Sequence, residues 1–199
     1  MSRPRCPACC RPLSHCLCPL IPSLCSRTRL LLLQHEDEAD HALNTARLAA
    51  LGLQKARLEI GSRFGELDSW LAEPDIEPVL LFPGEGARPI GEWRAGEGRQ
   101  TLLVVPDGTW RKARKLLHVN PQLASLPRVC LPDGLQSRYR LRKAPMPGAL
   151  STLEAIVEVL NCWEAPADFG ALLRPFEALI EGQIAAMGEA TFRRNHASD

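Results

Sequence analysis

Between Leu102 and Leu117 the chain passes from an apolar run, Leu102-Leu103-Val104-Val105-Pro106, through Asp107-Gly108-Thr109 into a basic stretch with apolar residues at Trp110, Ala113, Leu116 and Leu117. A β-rich run that ends in Pro-Asp-Gly and resumes at helical spacing is a strand, a sharp turn and a helix start. Such a junction presents side chains and helix amides at the carboxyl end of a strand, where α/β proteins hold ligands. Two readings of its residues stand side by side. In one, Asp107 is an N-cap accepting from the amide of Thr109 or Trp110, Gly108 is the turn residue and Trp110 a core aromatic. In the other, the same residues border a functional site.

The two periods alternate along the rest of the chain. Arg27 to Gln34 carries Leu30-Leu31-Leu32-Leu33 without alternation, as a strand buried on both faces does, and Lys55 to Ile60, Pro78 to Phe82 and Arg128 to Leu131 supply further short strands. Glu38 to Leu51 places Leu43, Ala46, Ala50 and Leu51 at helical spacing before Gly52, and Asn120-Pro121 ends the helix that Trp110 begins. Ser151 and Glu154 have the spacing of a capping box at the start of another helix. Leu172, Leu173, Phe176, Leu179, Ile180, Ile184 and Met187 draw a last helical stripe, core or dimer seam, with Pro175 in its first turn or at a kink. Gly91 to Arg99 reads as a connecting loop. Strands alternating with helices predict an α/β fold with a mostly parallel sheet, and 199 residues at 45% hydrophobic content suffice for one such domain with a small appendage.

Six of the eight cysteines lie in the first 25 residues, which points to a local metal site. Cys6-x2-Cys9 followed by Cys16-x-Cys18, stiffened by Pro7, Pro12 and Pro19, supplies four thiolates, the donor set of a closed, structural zinc site. Cys10, His15 and Cys25 are spare donors that leave the ligand set open by a residue. Residues 1–26 are therefore expected to form a zinc-binding segment and 27–199 the main domain. Met1-Ser2-Arg3-Pro4-Arg5 is no secretory leader, and the longest apolar run, Leu30 to Leu33, is too short to span a bilayer. A cytoplasmic protein with reduced thiols and no membrane partner is the expectation. A net charge of +1 gives no global attraction to nucleic acid, so any RNA contact must come from local basic clusters. Pro83-Gly84-Glu85-Gly86 is not a GxGxxG fingerprint and no phosphate-loop lysine follows it.

Asp107-Gly108-Thr109-Trp110 after an apolar strand resembles the signature of the DTW-domain family, whose members resemble tRNA-uridine aminocarboxypropyltransferases. The likeness extends to the cysteine cluster, to Gln34-His35 with Glu38, to Asn44-Thr45, Leu81-Phe82-Pro83, the Tyr139 to Arg142 stretch and Ser151-Thr152-Leu153-Glu154. It departs at Glu36, where the family pattern carries a proline after the histidine. The resemblance implies a SPOUT-like, trefoil-knotted α/β fold over residues 27–199. It also implies transfer of the 3-amino-3-carboxypropyl group of S-adenosylmethionine to N3 of a tRNA uridine, releasing methylthioadenosine.

On that footing Asp107 is the expected base for the N3 proton, with Thr109 and Trp110 beside it. Phe82, Pro83, Gly84, Leu141, Ser151 and Thr152 are expected at the S-adenosylmethionine site. Asn44, Thr45, Arg111, Arg114, Arg138, Arg140, Arg142 and Lys143 are expected to meet tRNA, since cations interleaved with Tyr139 suit phosphates and a stacked base. Two competing readings share these features: a SPOUT-type RNA methyltransferase using the same donor, and a non-catalytic zinc-containing RNA-binding module. Whether the protein is a monomer or a dimer is left open by the sequence.

Overall fold

The computed structural model describes residues 4–41, 43–138 and 150–188. Its six strands are β1 (Arg29–Gln34), β2 (Ala56–Ile60), β3 (Ile76–Leu81), β4 (Arg88–Pro89), β5 (Gln100–Asp107) and β6 (Arg128–Cys130). They form one sheet in the order β2-β1-β5-β3-β6-β4, and every pairing is parallel. The late strand β5 is inserted between the early strands β1 and β3. Their carboxyl ends therefore share one edge of the sheet, the edge at which such folds bind ligands.

Among the described residues six α-helices cover the sheet: α1 (Ala46–Gly52), α2 (Leu67–Leu71), α3 (Trp110–Val119), α4 (Pro121–Ala124), α5 (Thr152–Trp163) and α6 (Leu173–Met187). The central strands carry continuous apolar runs because both of their faces are buried. Leu30, Leu32, Val79, Leu103, Val105 and Val129 turn toward one core with residues of α1, α5 and α6. Leu31, Leu33, Leu80, Leu102 and Val104 turn toward the other with Leu67 and Trp70 of α2, Ala113 and Leu116 of α3 and Leu123 of α4. In α6 the stripe residues Leu173, Phe176, Leu179 and Ile180 belong to the first of these cores.

Two expectations need correction. Glu38 to Leu51 is not one helix: a 3-10 turn over Glu36–Glu38 is followed by α1 beginning at Ala46. The Asn44 side chain donates to the carbonyls of Glu38 and Ala39 at 3.3 and 3.2 Å, taking acceptors that a continuous helix would have used. The Gly91 to Arg99 stretch is more than a connector, because it buries Trp93 against Trp163, with ring centroids 6.4 Å apart. The Trp93 indole donates to Thr101 Oγ1 at 3.2 Å, anchoring the stretch to the start of β5.

Candidate active site and metal centre

Asp107 is the last residue of β5 and lies in register with Gln34, the last residue of β1. It is not the helix cap. Thr109 is the N-cap of α3 and accepts from the amide of Lys112, while Gly108 makes the turn between them at φ 150°. A β-carbon at Gly108 would stand 3.0 Å from Cβ of Lys112, so only glycine fits the turn. The Asp107 carboxylate is consequently turned inward, with the residue 8% exposed. Its Oδ2 accepts from Gln34 Nε2 at 2.7 Å and its Oδ1 from the hydroxyl of Thr152, the first residue of α5. Charge-assisted bonds of this kind contribute about 1.5–3 kcal/mol each, enough to hold a largely buried carboxylate in one orientation.

Two cavities meet at this point. One, of about 290 Å³, lies between the ends of β3, β5 and β6 and the start of α5. Its walls include Phe82, Pro83, Trp110 and the turn Pro132-Asp133-Gly134. Phe82 and Trp110 pack edge to face, with ring centroids 5.7 Å apart. Gly84 lies just past this wall at φ 146°. The other cavity, of about 300 Å³, is polar and is lined by Gln34, Glu38, His41, Asn44, Thr45, Asp107 and Thr109, among others. Gly108, Ser151 and Thr152 line both, and among these lining residues Asp107 belongs to the polar cavity alone.

Ser151 caps α5 by accepting from the amide of Glu154, and Glu154 accepts in return from the Ser151 amide, the capping box expected from the spacing. Glu154 reaches further, accepting from the amide of Arg138 at 2.6 Å and from the Ser137 hydroxyl. Across the polar cavity Glu38 accepts from Lys112 Nζ at 2.7 Å, and this bond holds the Lys112 ammonium above its usual range. Arg111 and Arg114 are exposed on α3, whereas Arg138 is exposed but donates to Glu177 at 2.8 Å. Leu141, Arg140, Arg142 and Lys143 lie outside the described residues. A hollow of about 500 Å³ at the opposite edge of the sheet is lined by Arg27, Arg94 and Arg99. Cys162 and Glu164 also line it; Glu164 accepts from the backbone amides of Arg27 and Thr28, and the three guanidiniums donate to main-chain carbonyls, of Trp163, of Gly91 and Trp93, and of Ile76 respectively.

The sequence did not single out the bonds from Gln34 and Thr152 to Asp107 or the reach of Glu154. In the sequence Gln34 stands within the likeness at Gln34-His35 without a role of its own, and locally it is the amide that closes the apolar run Leu30 to Leu33.

The four predicted cysteines converge: the sulfurs of Cys6, Cys9, Cys16 and Cys18 all lie within 4.8 Å of one another. Cys6 and Cys18 are 3.6 Å apart and Cys9 and Cys16 3.8 Å. Tetrahedral zinc with bonds of about 2.3 Å to sulfur has edges of about 3.8 Å, whereas a disulfide needs about 2 Å, so the cluster fits the metal. Backbone amides of Cys9 and Ala8 hold the Cys6 thiol down to about 6, while burial and the neighbouring sulfurs push Cys18 up to about 12. Sulfurs so opposed retain a proton among them unless a cation takes its place. Cys10 is not part of this set, and its φ of 58° makes the turn that returns the chain toward Cys16.

Among the described residues no helix is long and apolar enough to cross a membrane. The DTW domain pattern matches residues 3–184. The chain is 30% identical to tRNA-uridine aminocarboxypropyltransferase 2 of Macaca fascicularis, over 98% of this chain and 68% of that protein. It is 31% identical to the Drosophila melanogaster protein of the same name, over 92% of this chain and 76% of the relative. For the Mus musculus protein the identity is 33%, over 92% of this chain and 64% of the relative. No solved structure matches the chain.

Proposed function

The chain belongs to the DTW domain family, and on that premise we propose that it is a tRNA-uridine aminocarboxypropyltransferase. S-Adenosylmethionine is the donor, N3 of a tRNA uridine the acceptor, and methylthioadenosine the leaving product. The observation that carries this reading is the pair of cavities meeting at Gly108, Ser151 and Thr152, with Asp107 on the polar one.

The aromatic and proline walls of the first cavity suit an adenosine, and its volume is near the lower end of the range for small-molecule sites. The polar cavity suits a uracil ring, which carries two carbonyls and one imide N–H. A sulfonium donor supplies an electrophilic carbon and a neutral leaving group. Against it, the residues of this chain have two tasks. Asp107 takes the N3 proton on a carboxylate oxygen, held in place by Gln34 and Thr152. The residues shared by the two cavities hold the acceptor nitrogen, the attacked carbon and sulfur in line. As the N3–C bond forms, the C–S bond breaks and its electron pair leaves on sulfur.

Arg111 and Arg114 extend from the site on α3 and supply phosphate contacts, with Arg140, Arg142 and Lys143 as further candidates by sequence. Zinc on Cys6, Cys9, Cys16 and Cys18 is structural, since four thiolates leave no open position. The reading includes a cytoplasmic location and a SPOUT-like, knotted path for residues 27–199; the insertion of β5 between β1 and β3 supports that path. Incubation with tRNA and labelled S-adenosylmethionine, followed by nucleoside mass analysis, tests the reaction. Methylthioadenosine with an aminocarboxypropylated uridine is expected; S-adenosylhomocysteine with a methylated base would replace the reading with a methyltransferase, and unchanged RNA would leave only a binding module.

A further inference from the structure

Gln34 is fully buried, and its amide donates to Asp107 Oδ2. An amide can present either its nitrogen or its oxygen, and only one choice suits a carboxylate. The structure contains a chain of bonds that makes the choice. Asn44 Oδ1 accepts from the backbone amide of Arg47 at 3.1 Å, and Asn44 Nδ2 donates to the backbone carbonyls of Glu38 and Ala39. Backbone groups cannot exchange donor for acceptor, so they fix which end of the Asn44 amide faces which way. Asn44 and Gln34 then form a reciprocal pair, Asn44 Nδ2 donating to Gln34 Oε1 and Gln34 Nε2 donating to Asn44 Oδ1, both at 3.0 Å. That pair directs the second N–H of Gln34 at Asp107.

We infer that Gln34 and Asn44 are positioning residues for Asp107, setting the orientation and charge state of its carboxylate through a two-amide relay anchored in the backbone at Glu38, Ala39 and Arg47. The inference rests on the reading of Asp107 as the base. It also gives Asn44 a task other than RNA contact, and Thr152 one other than holding the donor. The relay explains why the chain between the 3-10 turn and α1 is not helical: Asn44 needs those two carbonyls. Among the described residues, the other charged or titratable groups on the polar cavity are Glu38, which is paired with Lys112, and His41.

The test is the pH profile of aminocarboxypropyl transfer in Gln34→Glu, which keeps the shape but sets a second carboxylate against Asp107. Two carboxylates in contact resist ionising together, so the acidic limb should move alkaline by about one pH unit or more. At pH values below the wild-type limb, turnover should fall about 10-fold and recover as pH rises past the shifted limb, with S-adenosylmethionine affinity unchanged. Asn44→Ala, which frees the Gln34 amide to turn, should move the limb in the same direction by less, and it decides the matter if Gln34→Glu does not fold. A merely structural role predicts activity lost equally at every pH, or donor affinity lost in step with turnover, and either result overturns the inference. An active wild type with unshifted variants removes the relay alone; a wild type that forms no aminocarboxypropyl product on tRNA removes the reading of the reaction and the relay with it.

Discussion

Glu154 accepts the backbone amide of Arg138 at 2.6 Å, so the first turn of α5 holds the chain where it leaves the turn after β6. The same carboxylate accepts from Ser151 N and from the Ser137 hydroxyl, and Glu154 is only 5% exposed.

Glu154→Gln should therefore destabilise the fold, since an amide nitrogen replaces one acceptor oxygen and faces donors. A loss of about 2–3 kcal/mol is expected, which for a chain of this size lowers Tm by roughly 4–12 °C. Calorimetry showing an unchanged Tm would mean that the clasp contributes nothing.

Asp107→Asn should fold and bind S-adenosylmethionine, yet lose about 10²–10⁴ in turnover with tRNA. Single-turnover kinetics and equilibrium donor binding separate the two effects. Full activity in this variant would remove Asp107 as the base.

Gly108→Ala forces a side chain onto a backbone at φ 150° and against Lys112. About 1–3 kcal/mol of strain is expected, relieved by a shift of the turn that carries Asp107. Both Tm and turnover should fall, and a crystal structure of the variant with the turn unmoved would contradict the argument.

About one zinc per chain should be found by elemental analysis, and Cys9→Ser should lose it. Metal binding requires thiolates, so protons compete with it. The folded value of Cys6, about 6, is below its ordinary value of 9.0. The stability it contributes is therefore present above pH 9 and is lost as pH falls through about 6. Dialysis against a chelator should strip the metal more readily below pH 6 than at pH 8. Equal retention at both would argue that the cluster is not the ligand set.

What the sequence made legible was local. The period change at Asp107 to Trp110, the capping box of Ser151 and Glu154 and the spacing of the four cysteines each need only neighbouring residues, and each is present as read. The partners of Asp107 were not legible, because Gln34 is 73 positions and Thr152 45 positions away and only strand pairing and helix docking bring them in. The same reason hid the break near Asn44: Leu43 and Ala46 on either side of it stand at helical spacing, but tertiary bonds to Gln34 outweigh that preference. Trp93 was hidden by its Gly-rich and charged neighbours, which read as loop although the indole itself is buried.

Gly108, Ser151 and Thr152 line both of two adjoining hollows that are otherwise lined by different residues. On the proposed reading each ligand has its own hollow, and no side chain need carry the transferred group between them. Both must then be on board before any bond changes, and either can arrive first. Reciprocal plots of initial velocity against one ligand, at several fixed levels of the other, should intersect rather than run parallel.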